Sequence, residues 1–155
     1  MIQRIHTLFL FIAFVAVVMI FFFPLATFWS SESYVKFFVL EIKSMVPGNP
    51  VPYGKLFTIP FVIVVLAIMV FDILSILYYK KRLTQIKFVN FCILLNIVLI
   101  VLMFFYTDKI SKDFKVPTKY EFGSVLPLIS LVFFVLANRS IRRDERLVRS
   151  VERLR

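Results

Sequence analysis

The sequence predicts an all-α membrane protein built as a four-transmembrane-helix bundle, with a small extracytoplasmic β cap and a cytoplasmic amphipathic C-terminal helix. The prediction depends on the share of apolar residues, their arrangement in long blocks and the uneven distribution of basic residues. Of the 155 residues, 61% are hydrophobic, whereas soluble domains contain roughly 45–50%. Charged residues make up 18%, below the usual share of about 25%. This composition excludes an ordinary soluble domain.

Four apolar blocks are long enough to cross a membrane, because a hydrocarbon core about 30 Å thick requires roughly 20 helical residues. The predicted spans are residues 8–29, 57–79, 88–106 and 122–138, followed by a basic segment at residues 139–155. Trp29, Tyr106 and Tyr120 lie at block ends, where amphipathic rings favour the headgroup layer. The first block lacks a small-x-small cleavage pattern, so we interpret it as an uncleaved span rather than a signal peptide.

The distribution of lysine and arginine predicts the orientation. With the N-terminus in the cytoplasm, twelve of the 19 basic residues fall on the cytoplasmic side and the other seven fall outside. Lysine and arginine are enriched in cytoplasmic loops of membrane proteins. The sequence therefore predicts a multi-pass protein with both termini in the cytoplasm.

Several segments resemble a known protein family. They are MIQRI at residues 1–5, the basic turn leading to QIK at 85–87, and above all LANRSIRRDE at 136–145 with its continuation at 147–150 and 153–155. These segments are similar to a family of small four-span proteins of Bacteroidota, catalogued as domain of unknown function 4293. The resemblance extends from end to end of the chain. It implies a location in the bacterial inner (cytoplasmic) membrane and offers no activity to transfer.

The first outer loop favours a β-strand. Residues 34–43 are rich in β-branched and aromatic side chains with partial alternation, and turn-forming residues follow at 46–50. Residues 112–116 of the other outer loop could supply a partner strand. The alternative for the first loop is a helix lying in the membrane interface.

An ionisable residue inside a span is a functional candidate, and Asp72 is the one such residue here. Asn96, in the antiparallel third span, is expected at nearly the same depth. The predicted intramembrane polar cluster comprises Asp72, Asn96, Asn90, Asn138 and either Arg139 or Arg4. Such a cluster could hold helices together or form part of an ion path, although the outer halves of the spans offer few polar groups.

The sequence gives no support for catalytic, redox or metal chemistry. Cys92 is the single cysteine and lies in a span, which excludes an internal Cys-x-x-Cys pair. His6 is the single histidine, which excludes a histidine cluster for haem or zinc, and we expect it to be solvated at the interface. There is no Gly-x-Ser-x-Gly elbow and no Gly-rich phosphate loop. We therefore predict a non-enzymatic protein with no catalytic residue, metal or cofactor.

The C-terminal segment is predicted to form an amphipathic helix, which either continues the fourth span or bends to lie on the membrane. Its arginines fall within about 60° on a helical wheel, with apolar side chains on much of the opposite side. The stripe comprises Arg142, Arg146, Arg149 and Arg153. Anionic lipid headgroups or a cytoplasmic protein could bind this stripe. Nucleic acid is not expected, because the segment has no aromatic residue for base stacking.

These features favour a non-enzymatic accessory or scaffold subunit of a membrane assembly, in contact with a membrane-protein partner or with further copies of the chain. The competing interpretation is a small oligomeric transporter or channel built around Asp72 and Asn96. The spans lack a Gly-x-x-x-Gly motif, and their Phe-rich faces leave surface for lipid or for partners, so both interpretations remain open.

Overall fold

The architecture is mostly helical, with a small sheet at one end. A computed structural model describes residues 5–29, 34–46, 53–79 and 81–152, without the side chains of residues 55 and 149–152. The helices are α1 (Ile5–Met19), α2 (Ile59–Leu77), α3 (Arg82–Phe114) and α4 (Phe122–Glu152). The strands are β1 (Ala26–Trp29), β2 (Tyr34–Phe37), β3 (Ile42–Ser44) and β4 (Thr118–Tyr120), and a 3₁₀ turn at Lys55–Phe57 precedes α2.

The four helices close a ring in chain order. The most extensive contacts are those of α1 with α4, α2 with α3, and α3 with α4, and α1 completes the ring against α2. Among the described residues, α2, α3 and α4 are long and apolar enough to cross a membrane. The predicted membrane class is therefore supported by three helices.

The predicted first span, residues 8–29, is helical only as far as Met19. With 15 residues, α1 is about 22 Å long at 1.5 Å per residue. Tighter turns follow, in which Ile20 and Phe21 donate to carbonyls three residues earlier. Pro24 cannot donate a helical hydrogen bond and disfavours the helical conformation of the residue before it. The remainder of the predicted span therefore consists of turns over residues 20–25 and of the strand β1, which ends at Trp29.

The sheet has the order β3-β2-β1-β4, and every neighbouring pair is antiparallel. The predicted strand at residues 34–43 is present as the β2–β3 hairpin, so the interfacial-helix alternative for this segment is wrong. The predicted partner at residues 112–116 is also wrong, because α3 continues to Phe114 and ends where Lys115 adopts a left-handed conformation with φ of 54°. The strand from the second loop is β4, and it pairs with β1.

Aromatic packing attaches the sheet to the helices. Phe37 of β2 is fully buried, and its ring centroid lies 5.9 Å from that of Phe61 in α2 and 6.1 Å from that of Tyr106 in α3. Phe28 and Val35, opposite each other in the sheet, are also buried. Such aromatic contacts stabilise beyond the area they bury, so the sheet forms one core with this end of the bundle.

The fourth predicted span and the basic segment form one helix. With 31 residues, α4 is about 46 Å long, which exceeds a hydrocarbon core of about 30 Å. The basic segment therefore continues the helix as far as Glu152, and the alternative in which it bends away does not occur over this range. Pro127 is accommodated inside α4, where the Ser130 hydroxyl donates to the Pro127 carbonyl at 2.9 Å.

Candidate functional site

Asp72 lies in the interface between α2 and α3. Its side chain is fully buried, and neither carboxylate oxygen has a hydrogen-bond partner among the described residues. The ion pairs of the described part of the chain do not include it. It therefore differs from most buried charged groups, which are paired.

Two further buried polar side chains lie near Asp72. Ser75 and Gln85 are fully buried, and their polar side-chain atoms have no partner in the part of the chain that the structure describes. The Cys92 thiol lies 3.9 Å from the Ile68 carbonyl, which defines the register of α2 against α3. Ser75 and Gln85 each lie seven residues from this contact toward the α2–α3 turn, so they face each other at one level. We call Asp72, Ser75 and Gln85 the interior cluster.

Ser75 and Gln85 were not among the residues predicted from the sequence. Gln85 precedes the predicted third span, whereas the helix begins at Arg82 and buries Gln85 in its first turn. Ser75 lies three residues after Asp72 and therefore on the same helix face. Helical periodicity extended into the flanking residues could have identified both positions.

Asn96 contacts α4 instead of Asp72. Its Nδ2 donates to the Ser130 Oγ at 2.6 Å. Asn96 lies one turn from Cys92 on the side away from the α2–α3 turn, so about 12 Å along the bundle separate it from Asp72. The prediction that Asp72 and Asn96 lie at one depth is wrong, because α2 ends at Leu77 and α3 begins at Arg82, and these ends differ from those of the predicted spans.

Asn90, Asn138 and Arg142 form a second group, which we call the collar. The Nδ2 of Asn138 donates to the Oδ1 of Asn90 at 2.5 Å, linking α3 to α4. Arg142 donates from Nε to the Asn138 Oδ1 at 2.8 Å and from Nη2 to the Asn90 Oδ1 at 3.4 Å. The structure therefore brings the two asparagines together, and it engages one arginine of the predicted stripe in an internal network.

His6 is buried, contrary to the expectation of a solvated side chain. It is 9% exposed, and its Nδ1 lies 3.4 Å from the Asp144 Oδ2. Arg82 donates from Nη1 to the Asp144 carbonyl at 3.3 Å. Residues near the starts of α1 and α3 thus meet at Asp144 of α4, a contact that was not predicted from the sequence.

The exposed side of α4 presents an arginine cleft of about 560 Å³, lined by Arg139, Arg142, Arg143, Arg146 and Leu147. Arg139 contributes to this cleft and is exposed, so the structure does not bring it to Asp72. The side chain of Arg149 and the whole of Arg153 and Arg4 lie outside the described residues.

The described side chains were compared with the arrangements that metal binding and thiol chemistry require. Within residues 5–29, 34–46, 53–79 and 81–148, no group of three or more His, Cys, Asp and Glu side chains is arranged to hold a metal ion. Cys92 is buried. The arrangement offers an interior oxygen-rich cluster, a polar network between helices and an exposed cationic surface.

Comparison with known proteins gives one family. The model of the family described as "Domain of unknown function (DUF4293)" matches residues 2–154. Searches among curated proteins and among solved structures give no match. The family match confirms the resemblance drawn from the terminal and basic segments.

Proposed function

We propose that this chain, which belongs to the family described as Domain of unknown function (DUF4293), is a non-enzymatic accessory or scaffold subunit of a membrane assembly. Its docking element is the α4 extension, residues 139–152. The observation that carries this proposal is the continuity of α4 from Phe122 to Glu152. Because the basic segment and a membrane-spanning segment form one helix, the orientation of the docking element relative to the rest of the bundle is fixed.

In this proposal all four helices lie in the bacterial inner membrane, with both termini in the cytoplasm and the sheet outside. The packing of α1 against both α2 and α4 supports its insertion with the other three. The residues after Met19 lengthen the apolar surface that begins on α1, since Phe22 is 73% exposed and Trp29 is 77% exposed. Exposed aromatic rings at this level suit the membrane interface.

The arginine cleft is proposed to lie at the cytoplasmic headgroup layer. A basic residue near an anionic membrane surface contributes about 1 kcal/mol of binding. Arg143 and Arg146 are exposed, whereas Arg142 is engaged in the collar. The extension continues about 15 Å past Arg142, the last collar residue of α4, at 1.5 Å per residue. Leu147 and Val148, 58% and 39% exposed, add apolar surface for a membrane-protein partner.

Purification of the tagged chain in mild detergent tests this proposal. We expect a second membrane protein to accompany the full chain in a fixed ratio. Truncation after Arg146 should remove that protein and leave insertion intact, because the buried Ile141 and the His6–Asp144 contact are retained. Purification as a homo-oligomer without other protein would contradict the accessory role.

Charge reversal gives a matched pair of variants for the same experiment. Arg143→Glu with Arg146→Glu should reduce recovery of the partner at least about tenfold, equivalent to about 1.4 kcal/mol. Lys43→Glu with Lys119→Glu changes two exposed lysines at the sheet end and should leave recovery unchanged. Equal loss in both double variants would contradict docking through the α4 extension.

The second candidate is a small oligomeric transporter or channel using Asp72 and Asn96. The buried, unpartnered carboxylate of Asp72 favours it, because such residues mark ion paths in other membrane proteins. The engagement of Asn96 with Ser130 weighs against a shared path through both residues. Ion flux into vesicles containing the purified chain, abolished in Asp72→Asn, would favour this candidate over the accessory role.

A further inference from the structure

We propose that the interior cluster of Asp72, Ser75 and Gln85 binds a monovalent cation of the sodium type. All three side chains are fully buried, and together they present four oxygen atoms without a partner among the described residues. Buried polar atoms in native proteins almost always have partners. Three such residues within one helix interface therefore indicate a shared ligand.

Helix spacing and the register of α2 against α3 place these three residues in one part of the helix interface. Asp72 and Ser75 are three residues apart on the buried face of α2, so their side chains are neighbours. Gln85 lies on the buried face of α3, at the level of Ser75 by the register of the Cys92–Ile68 contact. Asp72 is only about 4.5 Å farther along α2 at 1.5 Å per residue.

Charge and chemistry favour a cation over the other small ligands. A carboxyl group in an apolar interior is stable only when its charge is paired or neutralised by a proton or a cation, and the ion pairs of the described residues leave Asp72 out. Hard cations prefer oxygen ligands. A proton would satisfy one of the four oxygens, whereas a metal cation can contact all of them. A divalent ion would leave an excess positive charge beside a single carboxylate.

The position of the cluster gives an ion a short route from water. Gln85 lies in the first turn of α3, and its backbone N–H donates to the Lys81 carbonyl in the α2–α3 turn. The cluster therefore lies near one end of the bundle. Asn96 donates from Nδ2 to Ser130 deeper in the bundle, while its Oδ1 has no partner among the described residues. About 12 Å along the bundle separate Asn96 from Asp72, so the site is a terminal binding pocket that does not require a path across the membrane.

Thermal unfolding of the purified full chain in detergent tests the site. Sodium chloride is titrated against choline chloride at constant ionic strength. We expect the unfolding midpoint of the native chain to rise with sodium and to saturate, because a ligand that binds only the folded state stabilises it. Asp72→Asn should lose this response. Asp108→Asn, which removes an exposed carboxylate paired with Lys112, should retain it.

Two variants that keep the charge of Asp72 provide an independent measure. Ser75→Ala and Gln85→Leu each remove one ligand oxygen, and each should raise the sodium concentration for half-maximal stabilisation about tenfold. Unchanged half-saturation in both would overturn the proposal even if Asp72→Asn failed to fold. Identical sodium and choline titrations of the native chain would also overturn it. A midpoint that follows pH and ignores sodium would assign the site to a proton instead.

Discussion

At the scale of single residues, Gly123 determines how closely the start of α4 approaches the chain before β1. Its N–H donates to the Pro24 carbonyl at 3.1 Å. A Cβ at this position would lie 2.4 Å from the Pro24 oxygen and 2.8 Å from the Phe23 oxygen. Both atoms belong to the backbone and cannot move independently of the chain. The absent side chain thus permits the junction between sheet and bundle.

Gly123→Ala should destabilise the protein by about 1–3 kcal/mol, the usual cost of an overpacked interior site. The measurement is the thermal unfolding midpoint in detergent. Gly54→Ala is the matched control, because nothing lies within 4 Å of a Cβ added there. Equal midpoints for the two variants would contradict the close approach at Gly123.

The hydrogen bond between Asn96 and Ser130 should couple α3 to α4. Interhelical hydrogen bonds in membranes contribute about 0.6–2 kcal/mol. A double-mutant cycle with Asn96→Ala and Ser130→Ala should return a coupling free energy in this range, measured from unfolding in mixed micelles. Additive effects of the two substitutions would show that the bond at 2.6 Å does not hold the helices together.

At the scale of elements, the sequence predicts most of the helices well and the junction with the sheet poorly. Long apolar blocks identify α2, α3 and α4 because each contains enough apolar residues to cross a membrane. Residues 20–29 are equally apolar, so composition alone cannot separate helix from buried strand. Their conformation depends on pairing with β4, about ninety residues later in the chain.

The candidate site is likewise predicted in part, because the sequence shows single polar residues in the spans but does not show which residues they contact. A buried acid in a span is visible in the sequence, and so is the grouping of Asn90 with Asn138 in one polar cluster. The neighbours of Asp72 are not visible, because the register of α2 against α3 depends on where α3 begins. That start lies six residues before the predicted span, at Arg82. The burial of His6 depends on the extension of α4 to Asp144, which apolarity does not predict.

The rigidity of the α4 extension can be tested with proline. Arg143→Pro removes a backbone donor and introduces a ring that clashes with the preceding turn, which costs about 3 kcal/mol in a helix interior. Trypsin should then cleave the chain after Arg146 faster than in the native protein, since proteolysis requires local unfolding. Arg143→Ala removes the same charge and should keep the native cleavage rate. Equal cleavage in both variants would contradict a continuous helix.

At the scale of the whole molecule, the two ends of the bundle differ in structure and charge. One end carries the sheet, whose exposed lysines are interspersed with Glu41, Asp108 and Glu121. The other end carries the α2–α3 turn and the arginine cleft. The positive-inside rule depends on the lysines and arginines near span ends. We therefore expect the arginine cleft to face the cytoplasm and the sheet to face outward.

Cysteine labelling tests this orientation directly, because Cys92 is the single cysteine and is fully buried. In a Cys92→Ala background, Lys119→Cys and Arg143→Cys introduce one exposed thiol at each end. A membrane-impermeant maleimide should label position 119 in intact spheroplasts and position 143 only after the membrane is opened. The Cys92→Ala background alone should remain unlabelled. The opposite pattern would invert the topology and remove the arginine cleft from the cytoplasm. Labelling of both positions from outside would mean that the helices connecting them do not place the two ends on opposite sides of the membrane.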